Sequence, residues 1–116
     1  MNEIITVLTP TFNRAHRIES LHNSLARQTS KEFTWMVIDD GSTDDTKELL
    51  LKLSKKSDFK IEYYFKLNGG KHSALNFARD KIRTQYTFVV DSDDLLDERA
   101  IEIAVRNWDE YNGETI

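Results

Sequence analysis

The chain has 116 residues, with 16 Lys and Arg against 20 Asp and Glu, a formal charge of −4, and no cysteine. That length holds one domain or part of one, and 39% apolar with 31% charged residues gives it enough hydrophobic material for a core. The missing cysteines exclude disulfides, thiol catalysis and Cys-ligated metal centres, the short apolar runs exclude a membrane span, and the lack of clustered Lys and Arg speaks against a nucleic-acid footprint.

Met1-Asn2-Glu3 lacks the basic and long apolar stretches of a secretory signal, so the cytoplasm is the expected address. Ile4–Leu8 (IITVL) reads as a buried strand ended by Thr9-Pro10-Thr11. Ile18, Leu21 and Leu25 follow at helical spacing and predict a helix over 14–28. Phe33–Ile38 (FTWMVI) predicts a second buried strand, stopped by Asp39-Asp40-Gly41. Ser42-Thr43-Asp44-Asp45 supplies N-cap residues to a helix carrying Leu49, Leu50 and Leu53. Lys60–Leu67 alternates, which predicts a half-exposed strand at a sheet edge. Asn68-Gly69-Gly70 signals a turn, and Ala74, Ala78 and Ile82 mark a third helix. Tyr86–Val90 (YTFVV) reads as a buried strand, and Ile101, Ala104, Val105 and Trp108 as a last helical face.

This β-α alternation predicts an α/β fold with a mostly parallel, Rossmann-like sheet and helices on both faces. Open sheets of that kind bind ligands beyond the carboxyl ends of their strands. All four predicted strands end in unusual polar sequence: Thr9–Arg14, Asp39–Thr43, Asn68–His72 and Asp91–Asp94. Loops are polar in any case, but the coincidence at all four ends points to one concave polar site.

The acid is bunched. Eight of the 20 carboxylates are Asp39, Asp40, Asp44, Asp45, Asp91, Asp93, Asp94 and Asp97. At about 4 Å and an effective dielectric near 20, each like-charged pair costs about 4 kcal/mol, so a helix terminus, a cation or solvent must relieve them. A helix first turn suits residues 44, 45 and 97. Asp91 and Asp93 fall on one side of an extended path, and Asp94 can add a third oxygen, which suits Mg²⁺ or Mn²⁺ completed by water and phosphate. Helix capping competes for Asp94 and Asp97, but Asp91 lies too far back to cap. Leu95 and Leu96 exclude a calcium EF-hand loop.

Asp39 can accept a nucleobase N–H or a ribose hydroxyl, whereas a turn and a cap account for residues 40–43. Asn68–His72 can bring amides and the Lys71 ammonium to a phosphate, or form a plain turn. It is no Walker loop, because Phe65 and His72 stand where that motif needs Gly and Ser or Thr. His16 and His22 read as structural, His72 stays open between the two roles, and Trp35 and Trp108 read as core or rim.

Four segments in order then resemble a known family: Thr9-Pro10-Thr11-Phe12-Asn13-Arg14, Val37–Thr46 (VIDDGSTDDT), Gly69–Asn76 (GGKHSALN) and Val90-Asp91-Ser92-Asp93-Asp94. Together they look like the nucleotide-sugar-binding half of a family-2 glycosyltransferase of the GT-A fold. The resemblance implies a diphosphate-sugar donor, usually of uracil, lying across the strand ends. The segment around Thr9, Pro10 and Thr11 would line base and ribose, Asp39 would bind the base, Lys71 would approach the base or diphosphate, and Asn13, Arg14 and Asp40 would also belong to the donor site. Asp91-Ser92-Asp93 would be the family's DXD motif, with Ser92 at the donor and Asp91, Asp93 or Asp94 holding Mn²⁺ or Mg²⁺. It further implies inverting transfer to a carbohydrate, lipid or protein acceptor. Because members run longer, residues 1–116 are expected to be a truncated donor-binding domain without the acceptor base and inactive alone, so neither Asp109 nor Glu110 is assigned that role. Any membrane association, at the inner face, would come from sequence beyond these residues. A non-catalytic nucleotide–metal module and a receiver-type phospho-acceptor using Asp39 and Asp40 are the competing readings.

Overall fold

The computed structural model describes residues 4–115, and of residues 108–115 the backbone alone. Eight elements alternate: β1 (Ile5–Thr11), α1 (Ala15–Ala26), β2 (Phe33–Asp39), α2 (Thr46–Lys56), β3 (Lys60–Phe65), α3 (Lys71–Arg79), β4 (Tyr86–Val89) and α4 (Ala100–Thr115). The four strands form one sheet in the order β3-β2-β1-β4, every pair parallel. A parallel sheet needs crossover connections, and the helices supply them.

Strand alternation sorts the core into two layers. Ile5, Val7, Phe33, Trp35 and Val37 pack on one face with Ile18, Leu21 and Leu25 of α1, Leu50 and Leu53 of α2, and Ile101 and Val105 of α4. Leu8, Met36 and Ile38 pack on the other against Ala74 and Ala78 of α3. Helices therefore cover both faces, but α3 covers its face alone. Ile82 packs against this second layer from beyond the end of α3. The Trp108 side chain, expected at the fourth helical face, lies outside the described residues, as do those of Asp109 and Glu110.

Two strand expectations are corrected. Thr9-Pro10-Thr11 does not end β1; it stays in the sheet opposite Val37, Ile38 and Asp39. Proline is tolerated there because Leu8 turns its carbonyl to Val90 and Thr11 turns its own to Asp40. By that alternation Pro10 faces the β4 side, where pairing has stopped at Leu8–Val89, so no ladder donor is missed. Tyr86–Val90 is not buried throughout. Strand β4 lies at the sheet edge, where Tyr86 and Val89 are exposed and Val90 alone is buried. The apolar run is real, but it flanks a sheet with no neighbour on that side among the described residues. The edge expected at Lys60–Leu67 is present as β3.

Candidate functional site

The carboxyl ends of β1, β2 and β4 and the start of α3 surround a cavity of about 220 Å³. Pro10, Thr11, Phe12, Arg14, Asp40, Lys71, Asp91, Ser92 and Asp93 line it. Residues 80 positions apart in sequence meet because parallel strands all deliver their ends to one side. The expectation of a single polar site at the strand ends is met.

Asp40 organises one wall. It is 4% exposed, and four donors surround its carboxylate. Lys66 Nζ (2.8 Å) and the Gly69 amide (2.9 Å) donate to Oδ1, while the Gly70 amide (2.7 Å) and Asn68 Nδ2 (3.3 Å) donate to Oδ2. Burial pushes the carboxyl up, but Lys66 and the two amides outweigh burial and hold it below the ordinary Asp range. Asp40 thus ties the 66–70 loop to the end of β2 and sets where α3 begins. Gly41 makes the close approach possible: at φ +86° its absent Cβ would stand 2.8 Å from the Asn68 backbone nitrogen.

Asn13 organises a neighbouring loop that lies outside the cavity lining. It sits at φ 53°, a left-handed conformation that Asn tolerates. Its Oδ1 accepts the amides of Thr43 (2.7 Å) and Asp44 (3.2 Å), and its own amide donates to Ser42 Oγ (2.8 Å). Asp44 lies just before α2 rather than in its first turn, accepting from Thr46 with Oδ1 and from the Ala15 amide with Oδ2. One carboxylate therefore serves the starts of two helices. Burial opposes its ionisation, but these donors prevail and hold it below the usual range.

Several residues assigned to the donor do not face the cavity. Thr9 is fully buried, and its Oγ1 accepts from Trp35 Nε1 at 2.9 Å. It belongs to the core because β1 continues through it. Asn13 holds the 42–44 loop. Asp39 is 1% exposed and does not line the cavity; it accepts from the Ser42 amide (2.9 Å) and from Tyr63 Oη (2.6 Å). Burial and the Asp39 carboxylate raise the Tyr63 phenol well above its ordinary value, so it stays a donor. Asp39 lies outside the cavity and Asp40, although it lines it, has both carboxylate oxygens engaged by four donors, an arrangement that disfavours a receiver-type phospho-acceptor.

Pro10, Thr11, Arg14, Asp40, Lys71, Asp91, Ser92 and Asp93 do line it. Lys71 Nζ lies 2.9 Å from both Asp91 oxygens, so the first residue of α3 meets the second residue beyond β4. Thr11 Oγ1 is buried and has no hydrogen-bond partner, an orphan beside the cavity of the kind a ligand or water satisfies. Asp94 is exposed, donates its amide to the Asp91 carbonyl and does not line the cavity. Among the described residues no three His, Asp or Glu converge to hold a metal. Asp91 and Asp93 on one cavity wall still fit Mg²⁺ or Mn²⁺, which takes one or two carboxylates and completes its shell with water and substrate phosphate. Phe12, 44% exposed and lining the cavity, went unassigned in the sequence; its signal was an aromatic residue between two polar positions just past a strand.

The histidines are structural or peripheral. His22 stacks near Trp35 and Phe59 and bonds Ser57 Oγ at 2.6 Å, away from the cavity. His16 and His72 are exposed and do not line the cavity.

A doubly wound half-sheet with an acidic strand-end cavity is the architecture of a nucleotide-binding domain, and a family model sharpens this. Glycosyl transferase family 2 matches residues 6–114, and the chain belongs to that family. An uncharacterised glycosyltransferase of Rickettsia bellii is 36% identical over 108 residues, which is 93% of this chain and 15% of that protein. The crystal structure of Staphylococcus aureus TarS 1–349 in complex with UDP-GlcNAc superposes with a TM-score of 0.79 at 32% identity, covering 97% of this chain and 32% of that one. The mannosyltransferase PcManGT of Pyrobaculum calidifontis, in complex with GDP-Man and Mn²⁺, gives a TM-score of 0.77 at 25% identity over 85% of this chain and 30% of that one. The chain thus spans about a third or less of these relatives.

Proposed function

We propose that this chain is the donor-binding part of a glycosyltransferase and holds a nucleotide-diphosphate sugar, with a divalent cation, across the ends of β1, β2 and β4. The observation that carries the reading is the cavity where Asp91, Ser92 and Asp93 face Lys71 and Arg14. A −4 chain accepts an anionic donor there only if cations offset the carboxylates. Asp91 and Asp93 would hold Mn²⁺ or Mg²⁺, which as a Lewis acid supports negative charge on the departing diphosphate. Lys71, already at the cavity wall, supplies a second positive charge beside that group. Phe12 and Pro10 offer apolar surface to a base, and Thr11 Oγ1 has hydrogen-bonding capacity to spare.

The UDP-GlcNAc complex of TarS, the more similar of the two liganded relatives, favours a uridine diphosphate donor; the GDP-Man and Mn²⁺ complex of PcManGT favours a metal. The transfer itself is proposed to invert the sugar's anomeric centre, and the acceptor to be a carbohydrate, lipid or protein hydroxyl. The cytoplasm, where such donors are met, is the proposed location.

Calorimetry or thermal shift with UDP, GDP and dTDP, each with and without Mn²⁺, tests the reading. Stabilisation should follow RT ln(1 + [L]/Kd), require the metal, favour UDP and disappear in Asp93→Asn. Nucleotide binding indifferent to metal and base would overturn it.

A further inference from the structure

A second and larger cavity, about 440 Å³, opens at the opposite end of the sheet. Thr6, Thr34 and Met36 form its floor, and Lys60, Glu62, Lys81 and Arg83 are among the residues around it. Its origin is visible in the strand register. On the face covered by α3, the row Leu8–Met36 is apolar and packs against Ala74 and Ala78. One row toward the amino ends the register reads Thr87–Thr6–Thr34–Lys60, polar in all four strands. Helix α3 ends at Arg79, and this row is where the sheet face changes from a packing surface to a hydroxyl-bearing one.

The charges around this floor are three cations to one carboxylate, against a chain whose net charge is −4. Two of the cations are held in place. Lys81 Nζ sits 4.4 Å from the Phe77 ring centroid and 5.0 Å from that of Tyr64, and Lys60 Nζ lies 3.2 Å from Glu62. Among the described residues Arg83 makes one long hydrogen bond, 3.5 Å, to the Asp80 carbonyl, and most of its guanidinium fork can turn to a ligand. Thr6 and Thr84 are linked through their hydroxyls at 2.7 Å.

We propose that this cavity binds a phosphorylated polyol or sugar, independently of the strand-end site. Arg83, Lys60 and Lys81 take the phosphate, and Glu62, whose Oε1 accepts from Tyr64 Oη at 3.3 Å and whose Oε2 pairs with Lys60, uses its remaining lone pairs to accept ligand hydroxyls, which a bare anion does not offer. The volume falls within the usual range for small-ligand sites, about 300–1,000 Å³.

Titration of the isotopically labelled chain with glycerol 3-phosphate, inorganic phosphate and glycerol, followed by amide NMR, tests it. Saturable shifts are expected at Thr6, Thr34, Lys60 and Arg83, with glycerol 3-phosphate binding more tightly than either other probe. The exposed pair Lys60→Gln and Arg83→Gln, made separately, should each weaken binding at least about fivefold. Neither residue lies in the hydrophobic core, and an unchanged remaining spectrum verifies each fold. Absent or unsaturable shifts, shifts confined to Lys71 and Asp91, equal affinity for inorganic phosphate, or full binding by both variants would each overturn the proposal. UDP and Mn²⁺ report on the strand-end site separately, so failure there leaves this result readable.

Discussion

The Lys71 ammonium rests against both oxygens of Asp91, 2.9 Å away, and both residues line the strand-end cavity. A divalent cation at Asp91 must compete with that ammonium, while a diphosphate would welcome it. Lys71→Met should therefore change two affinities in opposite directions. Mn²⁺ alone should bind more tightly, by no more than about fivefold because so exposed a pair is worth about 0–1 kcal/mol, and UDP with Mn²⁺ should bind more weakly. Calorimetry on both ligands checks this; parallel changes would show that Lys71 does not stand between metal and diphosphate.

Asp40 gives a different signature, because it acts on the wall rather than on the ligand. Asp40→Ala takes the carboxylate from the largely buried Lys66 ammonium, leaving it the Leu67 carbonyl, and frees the Gly69 and Gly70 amides. Breaking a buried pair in this way costs about 3 kcal/mol or more. Urea unfolding should show that loss. Hydrogen exchange should quicken at Gly69 and Gly70 before the rest of the chain. Uniform exchange would mean that the loop is anchored by something else.

The element order and the meeting of strand ends were legible because both follow from local pattern: apolar runs of strand length, helical spacing, and polar breaks after each strand. Individual roles were less so. Thr9 and Asp39 stand in motif segments exactly as polar strand-end residues do, yet one caps Trp35 and the other takes Tyr63 and Ser42. Those partners lie on other strands or beyond a turn, and no spacing rule reports them. The misjudged burial of β4 has the same cause: Tyr86–Val90 has a core-like composition, and only the sheet order shows that one side has no strand beside it.

Thr9 can be tested as a core residue. Thr9→Val keeps shape but removes the acceptor of Trp35 Nε1, leaving a buried donor unpaired. The expected cost is about 1–3 kcal/mol, read from the denaturation midpoint, with nucleotide affinity unchanged well below that midpoint. A selective loss of UDP binding without loss of stability would return Thr9 to the donor site.

His22 makes stability depend on pH. Burial against Trp35 and Phe59 lowers its pKa, and nearby Lys56 adds to this, while the Asn23 bond and the Glu19 and Asp58 charges oppose it. With the folded value depressed, the unfolded chain takes up a proton first as pH falls through the unperturbed histidine value, about 6.5. The unfolded state then binds more protons, so stability rises with pH across that window and falls on acidification. The loss should set in below about pH 7, well above the range where Asp40 and Asp44, with lowered carboxyl values, surrender theirs. His22→Gln removes the titration and should flatten the profile between about pH 7 and 5, even if the variant is less stable throughout. Urea midpoints at several pH values decide it: an unchanged slope in the variant would place the dependence on another group.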